Sequence, residues 1–218
     1  MLDRWSLRVI SPSLQWVACK LDTFGVTANQ VTISGFIIGL LVIPALALEY
    51  YLLAAVIIVF NRLCDGLDGA LARASSATDA GGFLDIVLDF IFYSAVVFGF
   101  ALAQPAENAL VAALLLFSFM GTGSSFLAFA IMAERRSIKS MTYPNKGFYY
   151  LGGLAEGTET ILLLLCCCLL PEYFISIALF FSAICWVTTL TRVVGGYYSL
   201  QLNRVGSEEV KLKGESTS

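Results

Sequence analysis

Six apolar stretches dominate this chain, at about 31–49, 51–74, 81–103, 108–133, 155–171 and 173–197. A helix crossing a bilayer needs about 20 largely apolar residues, and a backbone in hydrocarbon must satisfy its own N–H and C=O groups. The pattern therefore predicts an all-α, polytopic membrane protein with six transmembrane helices. The second stretch is apolar only in its first half and then runs into a set of aspartates. Composition agrees: 58% of residues are hydrophobic and 13% charged, whereas soluble domains lie nearer ~45–50% and ~25%.

Residues 1–24 precede the first stretch and place Trp5, Leu7, Val9, Ile10, Leu14, Trp16 and Val17 among polar residues. That pattern predicts an N-terminal amphipathic helix lying at the membrane interface; a partly ordered tail is the alternative. Without a long apolar core, and with Asp3, Arg4 and Arg8, this segment does not resemble a cleaved signal peptide. Residues 25–200 form the expected six-helix bundle, so that 1–200 make one membrane domain. Residues 201–218 are polar and form the expected flexible tail.

Arg4, Arg8 and Lys20 precede the first stretch, Arg73 lies at the end of the second, where the chain turns, Arg135, Arg136, Lys139 and Lys146 follow the fourth, and Arg204, Lys211 and Lys213 lie in the tail. Arg62 and Arg192 lie within stretches, towards the same ends. The opposite loops carry Glu49, Glu107 and Glu172 and no Lys or Arg. The positive-inside rule then puts both termini and the aspartates on the cytoplasmic side. Gly35 and Gly39 form a GxxxG pair, and Gly121, Gly123, Ser124 and Ser125 narrow the fourth stretch. These serve helix packing within one bundle or a dimer face, and packing is the favoured use.

The chain has no histidine, which removes Ser-His-Asp and Cys-His nucleophilic chemistry and imidazole metal sites. Its six cysteines form no CxxC pair and read as small apolar filler. Catalysis must use carboxylates, Lys, Arg, Tyr or Ser/Thr.

The carboxylates are conspicuous. Asp65 and Asp68 are three residues apart, and Asp85 and Asp89 four apart, spacings that put each pair on one helix face. A short connection around 75–80 makes the two helices antiparallel neighbours whose pairs can face each other. A charge at the centre of a membrane helix costs roughly 2.5–3.5 kcal/mol on translocon scales, and grouped carboxylates repel at low dielectric. Divalent cations resolve that repulsion, and an all-oxygen set suits Mg²⁺ or Mn²⁺. Gly69 and Ala72 share the Asp65/Asp68 face, Gly81 lies one turn before Asp85, and Arg73 offers a fixed cation for phosphate oxygens. Together these describe a metal-diphosphate site. Ion pairing of the four aspartates with Arg62, Arg73 and Arg192 would nearly balance charge too, but leaves the small residues unexplained.

The ordered series Asp65-x-x-Asp68-Gly69-x-x-Ala72-Arg73, then Gly81, Asp85 and Asp89, resembles in full the signature of the CDP-alcohol phosphotransferase family. "TANQVTISG" also resembles the family's Asn-x-x-Thr pattern at Asn29 and Thr32, with Ala28 where a proline often stands. The resemblance implies a bacterial inner-membrane phosphotransferase in phospholipid biosynthesis. Asp65, Asp68, Asp85 and Asp89 would hold two divalent metals, and Asp89 would be the general base. Gly69, Ala72, Gly81, Arg73, Asn29 and Thr32 would surround the nucleotide. The implied donor is CDP-diacylglycerol or a related CDP-lipid, with an alcohol attacking the lipid-bearing phosphorus and CMP leaving. It also implies a homodimer in the bilayer; no nucleic-acid partner is expected.

The acceptor is less defined. Arg135, Arg136, Lys139 and Lys146 suit a phosphorylated acceptor such as glycerol 3-phosphate, the favoured one, or else act as topology determinants. Arg192, in an apolar stretch, requires a partner or a wet cavity. Glu156 and Glu159 suit an amino alcohol, or pair with Arg192 or a loop lysine. Two other classes use membrane aspartates: intramembrane prenyltransferases, usually with two separated Asp-rich motifs, and cation transporters, for which the aligned Gly69, Ala72, Arg73 and Gly81 have no use.

Overall fold

The computed structural model describes residues 14–75, 77–135 and 157–215, with side chains as far as Gln201. Among the described residues the regular structure is helical throughout. Helix α1 covers 14–23, followed by α2 (Ala28–Gly39), α3 (Val42–Ala47), α4 (Tyr51–Ala74), α5 (Asp79–Ala103), α6 (Pro105–Arg135), α7 (Gly157–Leu169) and α8 (Phe174–Glu215). A short 3₁₀ turn, Pro171–Tyr173, leads into α8. Every expected apolar stretch thus meets a helix or helix pair. Four segments have the length and composition to cross a membrane: Ala28–Ala47, Asp79–Ala103, Pro105–Arg135 and Pro171–Gln201. The stretch after Gln201, expected as a flexible tail, continues α8 as helix to Glu215.

The first apolar stretch is two helices rather than one, because Pro44 lacks the N–H that would bond to Leu40. The Leu40 carbonyl accepts from Ile43 instead, at 3.1 Å, a tighter 3₁₀-type bond that breaks the helix. α3 then ends in a Schellman arrangement. Tyr50 N–H bonds to Ala45 O at 2.8 Å, and Glu49 N–H to Leu46 O at 2.8 Å. Glu49 takes the left-handed conformation at φ 60° that glycine usually fills.

The chain divides into two compact units, Met1–Leu116 with Gly157–Phe181, and Phe117–Glu156 with Ser182–Ser218. In the first, α4 packs on α2, α3 and α7, while α5 packs on α3, α2 and α7. Phe92, Phe100, Phe174, Leu46 and Ile58 are fully buried there, and the Phe100 and Phe174 rings stack at 4.5 Å. α1 adds Ala18 to a small cluster with Ala70 and Leu71, flanked by Leu14, Leu21 and Leu67. α1 therefore lies along the half of α4 that carries the aspartates. In the second unit, Phe117 packs on Trp186 at 4.9 Å between ring centroids. A Cβ on Gly121 would meet Thr189 at 3.1 Å.

Outward faces are apolar: Leu52 is 71% exposed and Leu110 83%, which water would penalise and hydrocarbon would not. The first GxxxG pair serves packing within the chain. A Cβ on Gly35 would sit 2.5 Å from Cys64 Cβ, and one on Gly39 would sit 3.0 Å from both Asn61 and Phe92. α2 and α4 can approach this closely only because Gly35 has no side chain. Gly35→Ala should accordingly force the two helices apart and cost about 1–3 kcal/mol, as overpacking does. The check is a lowered thermal unfolding midpoint in detergent micelles, with a surface change such as Leu110→Ala as the neutral comparison.

Candidate active site

Two of the helices that build the site, α5 and α2, begin from well-capped turns. Thr78 accepts from Gly81 N–H at 3.1 Å and caps α5, with Asp79 in the first turn, where the helix dipole favours an acid. Thr27 caps α2 in a capping box with Gln30. Its T-x-x-Q signal was present in "TANQ". α2 in turn supplies Thr32, whose hydroxyl reaches an Asp68 carboxylate oxygen and also lies 3.0 Å from Ala28 O. One hydroxyl proton serves one acceptor at a time, and the bond to the carboxylate is the stronger.

Asp65 and Asp68 from α4 and Asp85 from α5 each offer a carboxylate oxygen within 4.8 Å of the others. Asp68 is buried, and Asp65 and Asp85 are half-buried. These three line one cleft with Thr32, Arg62 and Asp89. Like charges this close repel, and a hard divalent cation is the group that three convergent carboxylates suit. The donor chemistry therefore fits a metal of the Mg²⁺ or Mn²⁺ kind.

Asp89 differs from the expected arrangement. It lines the same cleft, but Arg62 engages it: Nη2 bonds to Oδ1, and Nη1 to Oδ2 at 3.1 Å. Tyr93, one turn on, donates to Asp89 Oδ2 at 2.9 Å. Arg62 Nη1 also lies 3.5 Å from Asp65. So the two aspartate pairs do meet across α4 and α5, but as three carboxylates together and a fourth in a guanidinium fork. The reason is geometric. Arg62 lies one turn before Asp65 on α4 and reaches the fourth carboxylate from the same side.

Sequence reading had Arg62 within a span and as one of three possible ion-pair partners of the aspartates, without saying which carboxylate it meets, and missed Asn61 and Tyr93. Tyr93 stood four residues after Asp89, a spacing that puts side chains in contact on a helix. Asn61 had no signal beyond its polarity. It is buried, donates to Gly35 O at 3.2 Å, and accepts from Arg62 Nε at 3.1 Å and Nη2 at 2.6 Å. Of the arginines proposed to balance the aspartates, Arg73 is exposed and lies over Gly69, 3.3 Å from where a Cβ would stand. Gly81 faces Asn29: a Cβ there would meet Asn29 Oδ1 at 3.0 Å and Thr78 Oγ1 at 3.1 Å. Ala72 is half-buried on α4.

The acceptor candidates divide. Glu159, in α7, has one buried carboxylate oxygen, Oε2, with no hydrogen-bond partner among the described residues. α7 begins beside this site, since a Cβ on Gly157 would lie 3.6 Å from the Tyr93 hydroxyl. Arg192 belongs to the second unit, where it donates to Thr122 O at 3.2 Å and covers the Phe126 ring at 5.5 Å. Arg135 ends α6 exposed. Arg136, Lys139, Lys146 and Glu156 lie outside the described residues.

The chain belongs to the CDP-alcohol phosphatidyltransferase family, whose model matches residues 25–194. Members of this family are transferases of phosphatidyl groups, and the chain is a membrane enzyme of that class. It is 56% identical over 201 residues to inner membrane protein YnjF of Escherichia coli strain K12, covering 92% of this chain and 98% of that protein. A 103-residue match, 39% identical, joins it to archaetidylinositol phosphate synthase of Pyrococcus horikoshii. That match covers 47% of this chain and 54% of the relative. The fold is similar to the crystal structure of Mycobacterium tuberculosis phosphatidylinositol phosphate synthase (PgsA1) with CDP-DAG bound. The TM-score is 0.56 at 22% identity, over 86% of this chain and 92% of that one.

Asn61 ties the helix contact to the site, so its loss should be felt in both. Asn61→Leu leaves the Gly35 carbonyl and two Arg62 N–H groups without their partner, at about 1–3 kcal/mol. Thermal unfolding in micelles should show that drop, whereas Asn61→Asp, which keeps the acceptor facing Arg62, should lose less.

Proposed function

We propose that the protein transfers a phosphatidyl group from CDP-diacylglycerol, or a closely related CDP-lipid, to a small alcohol at the cytoplasmic face of a bacterial inner membrane. The observation that carries this reading is the convergence of Asp65, Asp68 and Asp85 from two helices in one cleft, with Asp89 beside them. Family membership supports the reaction. The related M. tuberculosis synthase, solved with CDP-DAG bound, supports the donor. The relative named as an E. coli inner membrane protein supports the location.

Asp65, Asp68 and Asp85, with Asp89, would hold two divalent cations, Mg²⁺ or Mn²⁺. Bound there, such ions neutralise the diphosphate and the charge that develops on the leaving group. Everything else falls to the chain. Thr32 fixes one Asp68 oxygen, leaving the other for a ligand. Gly69, Ala72 and Gly81 keep the approach to the carboxylates free of bulk, Asn29 and Arg73 edge that approach, and Arg73 supplies a permanent cation for phosphate oxygens. The acceptor hydroxyl oxygen attacks the phosphorus bearing the lipid as its proton passes to Asp89. The bond from that phosphorus to the bridging diphosphate oxygen breaks, and CMP leaves with it. The six-span arrangement with α1 at the interface keeps acyl chains in the bilayer while the nucleotide stays in water. Both termini then lie in the cytoplasm, with the working unit a homodimer.

The acceptor we favour is a phosphorylated polyol, glycerol 3-phosphate first. The loop basic residues Arg135, Arg136, Lys139 and Lys146 support it, as does the naming of two relatives as synthases of inositol phosphate lipids. An amino alcohol is the second reading. It rests on Glu159, whose unpartnered oxygen would suit an ammonium group better than a phosphate.

The test is CMP release by purified protein given CDP-diacylglycerol, Mn²⁺ and a panel holding glycerol 3-phosphate, inositol phosphate, glycerol, serine and choline. Glycerol 3-phosphate should turn over fastest, and Asp89→Asn should lower that rate by about 10²–10⁴-fold while nucleotide binding persists. Absence of CMP with every acceptor would refute the assignment, and preference for serine or choline would favour the Glu159 reading.

A further inference from the structure

The guanidinium of Arg62 is saturated. Nε donates to Asn61 Oδ1, Nη2 to Asn61 Oδ1 and Asp89 Oδ1, and Nη1 to Asp89 Oδ2 and the Tyr93 hydroxyl. That uses all five of its N–H groups. Asn61 is itself oriented by Gly35 O, so its oxygen is aimed at Arg62 from a fixed backbone. Phe92 and Tyr93 cover the guanidinium, at 5.5 and 5.3 Å from their ring centroids. The Arg62 side chain is only 17% exposed. This is a built cradle for one cation, and that cation occupies the carboxylate reckoned as the fourth metal ligand and the general base.

Charge fixes the consequence. Four ionised carboxylates and one guanidinium carry three net negative charges. One divalent cation among Asp65, Asp68 and Asp85 reduces that to a single negative charge. A second would overshoot to positive in a cleft of low dielectric, unless an anion enters with it. A diphosphate is such an anion. It also presents paired oxygens of the kind a guanidinium fork binds bidentately.

We infer that Arg62 guards Asp89: in the resting chain it holds the carboxylate away from a second cation, and it releases Asp89 when a nucleoside diphosphate arrives to take the guanidinium. This rests on the proposed function and adds an order to it. Asp65, Asp68 and Asp85 form the resident cation site, and Asp89 becomes available as ligand and proton acceptor only with the diphosphate present. Arg62 acts through Asp89 and is a positioning residue. Its effect is to keep the cleft from filling with metal, and the base from being exposed, before the donor is seated.

The experiment counts Mn²⁺ bound to the purified full chain in micelles, by the loss of the free-ion electron paramagnetic resonance signal, with and without CDP as the soluble diphosphate probe. Wild type should bind one Mn²⁺ per chain without CDP and two with it. Arg62→Gln should bind two without CDP, its second site at least tenfold tighter than wild type. Arg62→Lys keeps the charge but not the fork, and should fall between; it carries the test if the glutamine variant does not stay folded. Tyr93→Phe leaves the fork in place and should keep the one-ion stoichiometry. Two equal sites in wild type without CDP would overturn the guard while leaving the metal reading intact. So would a lone site in Arg62→Gln and wild-type values in Arg62→Lys, with lowered unfolding midpoints only. No Mn²⁺ bound by any form would overturn the metal reading, and the guard with it.

Discussion

Carboxylates held within 4.8 Å of one another in a cleft between α4 and α5 are the constraint on which the rest of this structure turns. At an effective dielectric of about 20, two unit charges at that separation repel by on the order of 3–4 kcal/mol. Nothing in the apolar faces around them offsets such a term. The fold therefore does two things at once. It fixes Asp68 with Thr32 from α2, and it neutralises Asp89 with Arg62 from α4. What remains, the group Asp65, Asp68 and Asp85, is a site of a definite kind: oxygen-only, negative and open to one cleft.

The helix packing serves that arrangement. α4 and α5 each lean on α2, α3 and α7, so the carboxylates reach towards each other from separately supported helices. Among the described glycines, the one with least room for a side chain is Gly35, where α2 meets α4. There the Gly35 carbonyl also orients Asn61, and Asn61 orients Arg62. A glycine in the first apolar stretch is in this way connected through two side chains to the carboxylate proposed as base. Packing and chemistry share residues, and so perturbing one should register in the other.

Much of this was legible in the sequence. Six apolar stretches gave the helices, because hydrocarbon leaves a backbone few options. The pairs Asp65/Asp68 and Asp85/Asp89 gave two helix faces from spacing alone, and the absence of histidine and of any CxxC pair left oxygen as the donor. The break at Leu40 was also written there, in Pro44, although the length and hydropathy of the stretch alone pointed to a single helix. The guanidinium fork was not legible. That Arg62 would reach Asp89 on another helix, rather than only Asp65 one turn away, depends on the separation of α4 and α5, and no periodicity encodes that. Asn61 was invisible for the same reason: its role is set by the Gly35 carbonyl of a different helix.

The account stands or falls on where a cation sits. The most direct measurement is anomalous diffraction at the manganese edge from crystals of the protein grown with Mn²⁺ and CDP. The account predicts a peak among the carboxylates of Asp65, Asp68 and Asp85, and a second at Asp89. Peaks elsewhere, or ordered CDP with no metal at these aspartates, would contradict it.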